Sequence, residues 1–130
     1  MQRKTIEHLG PLQKRIMEVI WKKGKATVHD IKGEMDPENQ LAYTTFLSAV
    51  QKLKKEGWLD HEEQGRAHVF FPTTTREKEG ARSLQRLLRQ IFHGDSMLLF
   101  QNLIQQTELN EKELNELRKM IDQRKEELKK

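Results

Sequence analysis

The 130 residues contain no cysteine, so disulfide frameworks, thiolate nucleophiles and cysteine-based metal sites are excluded. Long apolar runs are missing too. The longest, Met97–Phe100, has four residues, against the roughly 20 a membrane-spanning helix requires. Aromatic residues make up 6% of the chain and hydrophobic residues 35%. That is little for one compact core, and part of the apolar surface is expected to be buried in an oligomer. The seven glycines are scattered at positions 10, 24, 33, 57, 65, 80 and 94, so no glycine-rich phosphate loop exists. The paired acids Glu62-Glu63 and Glu126-Glu127 are sequence neighbours rather than a positioned acid/base couple. His8 and His29 have no serine or cysteine nucleophile motif beside them. These absences argue against an enzyme, a cofactor or a small-molecule substrate, and a cytoplasmic protein is expected.

Charge is what the sequence has in abundance. Asp, Glu, Lys and Arg make up 34% of the chain, which favours a helical, well-solvated protein over a sandwich or barrel. The net charge of +4 is too mild to prove a nucleic-acid partner, but its arrangement is informative. The first 33 residues hold eight Lys or Arg against three acids, and Lys52, Lys54 and Lys55 form a second basic cluster. The pattern changes near Pro72-Thr73-Thr74-Thr75, which predicts two domains, 1–72 and 73–130.

Pro11 suits the first position of a helix. Leu12, Ile16, Val19 and Ile20 follow at helical spacing, and Gly24 stops the run. Thr27 is a good N-cap for a short second helix with Val28, Ile31 and Met35 inside. Asp36-Pro37-Glu38-Asn39 is turn chemistry. A third helix is predicted from about Ala42 to Gly57, with Tyr43, Phe46, Leu47, Val50 and Leu53 inside. Its other face carries Thr44, Thr45, Ser48, Gln51, Lys52 and Lys55. A β-hairpin should follow, from Trp58 to Glu62 and from Arg66 to Phe71, with a turn at Gln64-Gly65. Ala67, Val69 and Phe71 then point one way, and Arg66, His68 and Phe70 the other. Trp21 and Trp58 read as core.

Three helices and a hairpin, the third helix polar outside, is the order of a winged helix-turn-helix. A helix enters the major groove only if its exposed face offers donors and acceptors without bulk or negative charge. Between Ala42 and Lys55 there is no Asp or Glu. The same fold also serves as a protein-interaction module without sequence-specific DNA binding, and that alternative stays open. His61 and His68 can face each other across the hairpin with Glu62 and Glu63 nearby. The four lack compact ligand spacing and a surface hairpin does not readily enclose an ion, so no metal is expected.

Leu41-Ala42-Tyr43-Thr44-Thr45, followed by Val50-Gln51-Lys52-Leu53 and Gly57, resembles the recognition helix of the penicillinase-repressor family. Leu9-Gly10 with Glu18-Val19-Ile20-Trp21, and Gly65-Arg66-Ala67-His68-Val69 with Pro72, extend the resemblance over residues 9–72. It implies a homodimeric repressor that binds palindromic double-stranded operator DNA, in the branch linked to β-lactam resistance. The copper-responsive branch carries C-terminal cysteine pairs, and this chain has none. DNA contacts are implied for Thr27, Tyr43, Thr44, Thr45, Ser48, Lys52 and Lys55, and for Arg66 in the wing. The residues themselves leave open whether each hydroxyl meets a base, meets a phosphate or bonds within its own helix. The resemblance also implies release by a membrane-sensor protease system that cuts an Asn-Phe bond. Asn102-Leu103 falls at that place, with Leu103 departing from the pattern.

The second half reads as helices only. Leu84, Leu87, Leu88 and Ile91 form one helical face, with Arg82, Arg86 and Arg89 on another. Gly94 ends that helix, and Asp95 or Ser96 caps the next, which carries Leu98, Leu99, Leu103 and Ile104. Asn110 and Glu113 form a capping-box pattern ahead of Leu114, Leu117, Ile121 and Leu128. Leu84, Leu87, Leu88, Ile91, Leu99, Leu103, Leu114, Leu117 and Ile121 are the expected dimer interface. A monomeric bundle is the alternative. The fold class is therefore mainly α with a small β-hairpin wing.

Overall fold

A computed structural model describes residues 3–130. Its elements are α1 (Pro11–Lys23), α2 (Val28–Met35), α3 (Tyr43–Lys55), β1 (Leu59–Gln64), β2 (Ala67–Pro72), α4 (Arg76–Gln90), α5 (Ser96–Gln106) and α6 (Glu111–Leu128), with a 3-10 turn at Ile6–His8 ahead of α1. The chain divides into two compact units, Met1–Arg86 and Leu87–Lys130. Among the described residues no helix is long and apolar enough to cross a membrane.

The first unit is built on one cluster. Ile16, Met17 and Ile20 of α1, Val28 and Ile31 of α2, and Phe46, Val50 and Leu53 of α3 meet Trp58, Leu59 and Phe70 of the hairpin. Thr27 caps α2 as expected: its Oγ1 accepts from the Asp30 N–H, and the Asp30 carboxylate accepts from the Thr27 N–H, both at 3.0 Å. Trp58 is fully buried, whereas Trp21 is half-buried and donates its indole N–H to the Thr74 carbonyl at 2.9 Å.

The hairpin differs by one residue from the expected one. Gln64 pairs with Ala67, so the two-residue turn is Gly65-Arg66, and Gly65 takes the positive φ of 62° that a tight hairpin requires. Phe70 and Ala26 exchange both backbone hydrogen bonds, at 2.8 and 2.9 Å, which ties the base of the wing to the segment ahead of α2. Phe70 joins the core, and Val69 on the opposite face is buried as well.

The N-terminal segment is fastened to the start of α4. Glu79 is buried, and its carboxylate accepts from Arg82, from Arg3 at 3.4 Å and from the Thr74 hydroxyl at 3.0 Å. Arg82 also donates to the Arg3 carbonyl at 2.7 Å. Further along, Arg86 donates to Thr5 and Glu7, and Ser83 donates to Glu7 at 2.6 Å. Partial burial raises the Glu7 carboxyl, but hydrogen bonds from Ser83, its own backbone N–H, Thr5 and Arg86 outweigh it and hold its pKa at about 2.

In the second unit Asp95 caps α5, accepting from the Leu98 N–H at 3.1 Å. Asn110 and Glu113 form the expected capping box of α6. Leu99 is buried, and no residue of the 18-residue α6 is.

A buried carboxylate stripped of a partner is more damaging than the whole pair replaced by apolar groups. Arg82→Ala should therefore destabilise the chain by about 3 kcal/mol, the lower end of the buried-pair range because Arg3 and Thr74 remain. Glu79→Leu combined with Arg82→Met and Arg3→Met, which removes the whole charged set, should recover most of that loss, as read from urea midpoints.

Candidate nucleic-acid interface

Packing decides which face of α3 is offered outward. Phe46, Val50 and Leu53 are at most 1% exposed, so the residues about half a turn away must face solvent. Thr44, Thr45, Ser48, Gln51, Lys52 and Lys55 are all exposed. Thr44, Ser48, Lys52 and Lys55 follow one another at spacings of four, four and three, which makes one continuous stripe. Lys52 reaches Glu56 only at 4.0 Å, a weak exposed pair that leaves its cation available. No acid lies within the helix, and no side chain caps its N-terminus after Ala42. Its first amides thus present positive partial charge to an anion. The surface has the chemistry of duplex recognition: hydroxyls and an amide able to reach base edges or phosphates, and cations one turn on.

Tyr43 is half-buried, and its ring stacks on His29 at 4.6 Å, so its body belongs to packing between α2 and α3. Thr27 is half-buried and its oxygen already serves as the α2 cap. The cap interaction, first through the Thr27 backbone N–H and then through its hydroxyl, keeps the Asp30 carboxyl below the ordinary aspartate value. Arg66 sits exposed at the tip of the hairpin turn. Thr44, Thr45, Ser48, Lys52 and Lys55 share one helix face, Arg66 stands on the wing, and Thr27 lies at the entrance of α2.

The residue that sets the entry of α3 was not legible as functional. Asp36 accepts from the N–H groups of Gln40 and Leu41, both at 2.8 Å, and from Lys32 Nζ at 3.1 Å. Lys32 also donates to Asn39 at 2.6 Å and lies over the Phe46 ring at 5.8 Å. The turn that leads into α3 is thus laced to the end of α2, with Asn39 held at a positive φ of 55°. The bonds from Gln40 and Leu41, more than the lysine, hold the Asp36 carboxyl below its ordinary value. The one available signal was an Asp opening a turn before Pro, where a side chain can accept from backbone groups further on. Of the four hairpin residues weighed and set aside as ligands from the sequence, the structure gathers three, His61, Glu63 and His68.

Comparison with known proteins agrees with this geometry. A family model described as penicillinase repressor matches residues 9–123. The penicillinase repressor of Bacillus licheniformis is 22% identical over 122 residues, covering 94% of this chain and 95% of that protein. The methicillin resistance regulatory protein MecI of Staphylococcus aureus (strain N315) is 19% identical over 124 residues, 95% of this chain and 100% of its own length. Among solved structures, the DNA-binding domain of the repressor BlaI aligns with a TM-score of 0.50 at 24% identity, covering 58% of this chain and 90% of that one. An ArsR-family transcriptional regulator, RHA00566, aligns at 0.51 and 19%, over 66% of this chain and 86% of its own. These two likenesses establish the winged-helix fold.

If Asp36 orders the approach to α3, Asp36→Ala should lower the melting temperature and weaken duplex binding together, while Asp36→Asn keeps part of both. Its folded pKa lies below the unfolded 3.8, so the stabilisation is complete above that value and lost as pH falls through the folded one. Melting curves of the wild type and Asp36→Ala between pH 7 and pH 2 should converge at the acid end.

Proposed function

Because the chain belongs to the penicillinase-repressor family, a family of transcriptional repressors and not of enzymes, we propose that it is a homodimeric repressor of a palindromic operator, working in the cytoplasm. The observation that carries this reading is the acid-free polar face of α3, forced outward by the buried stripe behind it. Thr44, Thr45, Ser48 and Gln51 read base edges and nearby phosphates; Lys52, Lys55 and Arg66 supply phosphate contacts, and Thr27 adds one from the start of α2.

The dimer reading rests on uncovered apolar surface. Leu87, Ile91, Leu103, Leu114 and Ile121 are each 41–64% exposed, and Leu84 on α4 is 44% exposed. Leu88 and Leu117 are half-buried, while Leu99 is only 7% exposed and has little left to offer a second copy. A capped helix such as α6 with no buried residue is stable in water chiefly when a partner covers its apolar stripe. Two half-sites then lie about 10 bp or a multiple apart, reflecting the two-fold axis of the dimer.

Release by a membrane-sensor protease system belongs to the same proposal. The Asn102–Leu103 bond lies inside α5, where Asn102 Nδ2 donates to the Leu98 carbonyl at 2.9 Å. Cleavage there requires local unwinding of α5. A chain ending at Asn102 loses Leu103, Leu114, Leu117 and Ile121, and sedimentation should show it monomeric with much weaker operator binding through lost avidity. Unchanged dimerisation would overturn the interface.

Affinity for operator duplex should fall by roughly 10³ to 10⁵ between 50 and 200 mM salt if about six to ten phosphates are neutralised. Lys52→Ala should weaken operator and random duplex alike and reduce the salt slope by about one. Thr45→Ala or Ser48→Ala should instead relax preference at particular positions by about 1–3 kcal/mol. No duplex binding above background would return the fold to a protein-interaction role.

A further inference from the structure

The wing carries a side-chain cluster that the repressor reading does not use. In the hairpin register Glu63 lies opposite His68 and His61 opposite Phe70, so strand alternation projects all four from one face. The potential ligand atoms of His61, Glu63 and His68 all lie within 4.8 Å of one another. His68 Nε2 and Glu63 Oε1 are 3.6 Å apart. Two ligands of a tetrahedral zinc ion are about 3.4 Å apart, given bonds of about 2.0–2.2 Å. The two imidazoles lie 4.6 Å apart and nearly parallel. His61 packs on Phe70 at 5.6 Å, and its Nδ1 is buried without a hydrogen-bond partner. His68 is exposed on the outer part of the hairpin and has room to tilt towards a shared ion. Glu62 projects from the other face and is engaged by Lys25 and Gln64 at 3.4 Å, so it is not part of the set.

Charge gives this cluster a consequence. Between Leu59 and Pro72 the wing has three acids, Asp60, Glu62 and Glu63, against the single cation Arg66, a net −2 with neutral histidines. That is a poor surface to bring against phosphates, and one divalent cation cancels it.

The geometry points to a site for a divalent transition-metal ion of the zinc type, ligated by His61, Glu63 and His68, whose loading strengthens the attachment of the wing to DNA. Two imidazoles and a carboxylate suit such an ion and leave a fourth position for water. The ligand site stands on the hairpin alone; the effect on DNA rests on the repressor reading above.

Calorimetric titration of the full chain with zinc chloride tests the site. One ion should bind per chain, about tenfold or more weaker in Glu63→Gln and not at all in His61→Ala or His68→Ala. His68 is exposed, so His68→Ala keeps the test valid even if His61→Ala fails to fold. No saturable binding, or binding by His68→Ala equal to the wild type, overturns the site. In parallel, attachment to a random duplex is measured across salt concentrations with zinc and with EDTA. Zinc should tighten it and steepen the salt slope by about one to two. Zinc binding without any change in duplex attachment leaves the site standing and overturns its coupling to DNA. Failure to bind duplex in either condition overturns the repressor reading and leaves the metal site untouched.

Discussion

Burial of Phe46, Val50 and Leu53 against α1, α2 and the hairpin is the constraint on which the first unit depends. Three fully enclosed side chains on one helix fix its rotation about its own axis, because turning it would expose all three. Burying such side chains contributes about 1.5–3 kcal/mol each, whereas rotating hydroxyls and lysines between solvent positions changes little. The outer face of α3 is therefore defined by its inner face. The polar stripe need contribute nothing to folding and is free to be chosen for what it touches.

The periodic features were legible from the sequence for that reason. Apolar positions at three and four spacings mark α1, α3 and α4, and Thr27 and Asn110 cap helices through contacts only three residues long. What escaped depends on longer or more exact relations. The turn at Gly65-Arg66, rather than Gln64-Gly65, is set by the pairing of Gln64 with Ala67 and of Phe70 with Ala26. The sequence set His61 and His68 across from each other but left both Glu62 and Glu63 beside them. The register puts Glu63 on their face and Glu62 on the other, since a shift of one residue moves a side chain to the other side of a strand. Glu79 reads as one more charge on a solvated helix until Arg3, 76 positions earlier, is brought to it.

The two units use their apolar residues differently. In the first, the large apolar side chains meet one another and close a core. In the second, α5 and α6 turn Met97, Phe100, Ile104, Met120 and Leu128 outward, each more than half exposed. Such a surface is the one that the proposed dimer covers.

The anchoring of the N-terminal segment on α4 also bears on how the chain comes off the ribosome. Arg3 and Thr5 find Glu79, Arg82 and Arg86 only across separations of 76 to 81 positions in the sequence. The three-helix core and wing can gather once residue 72 has emerged, yet Arg3 and Thr5 must wait for nearly the last residues of their unit. During that interval Arg3 and Thr5 remain without their partners on α4. Glu79 emerges with its nearest partner, Arg82, three residues behind it. The start of this unit is thus among the last of its parts to settle.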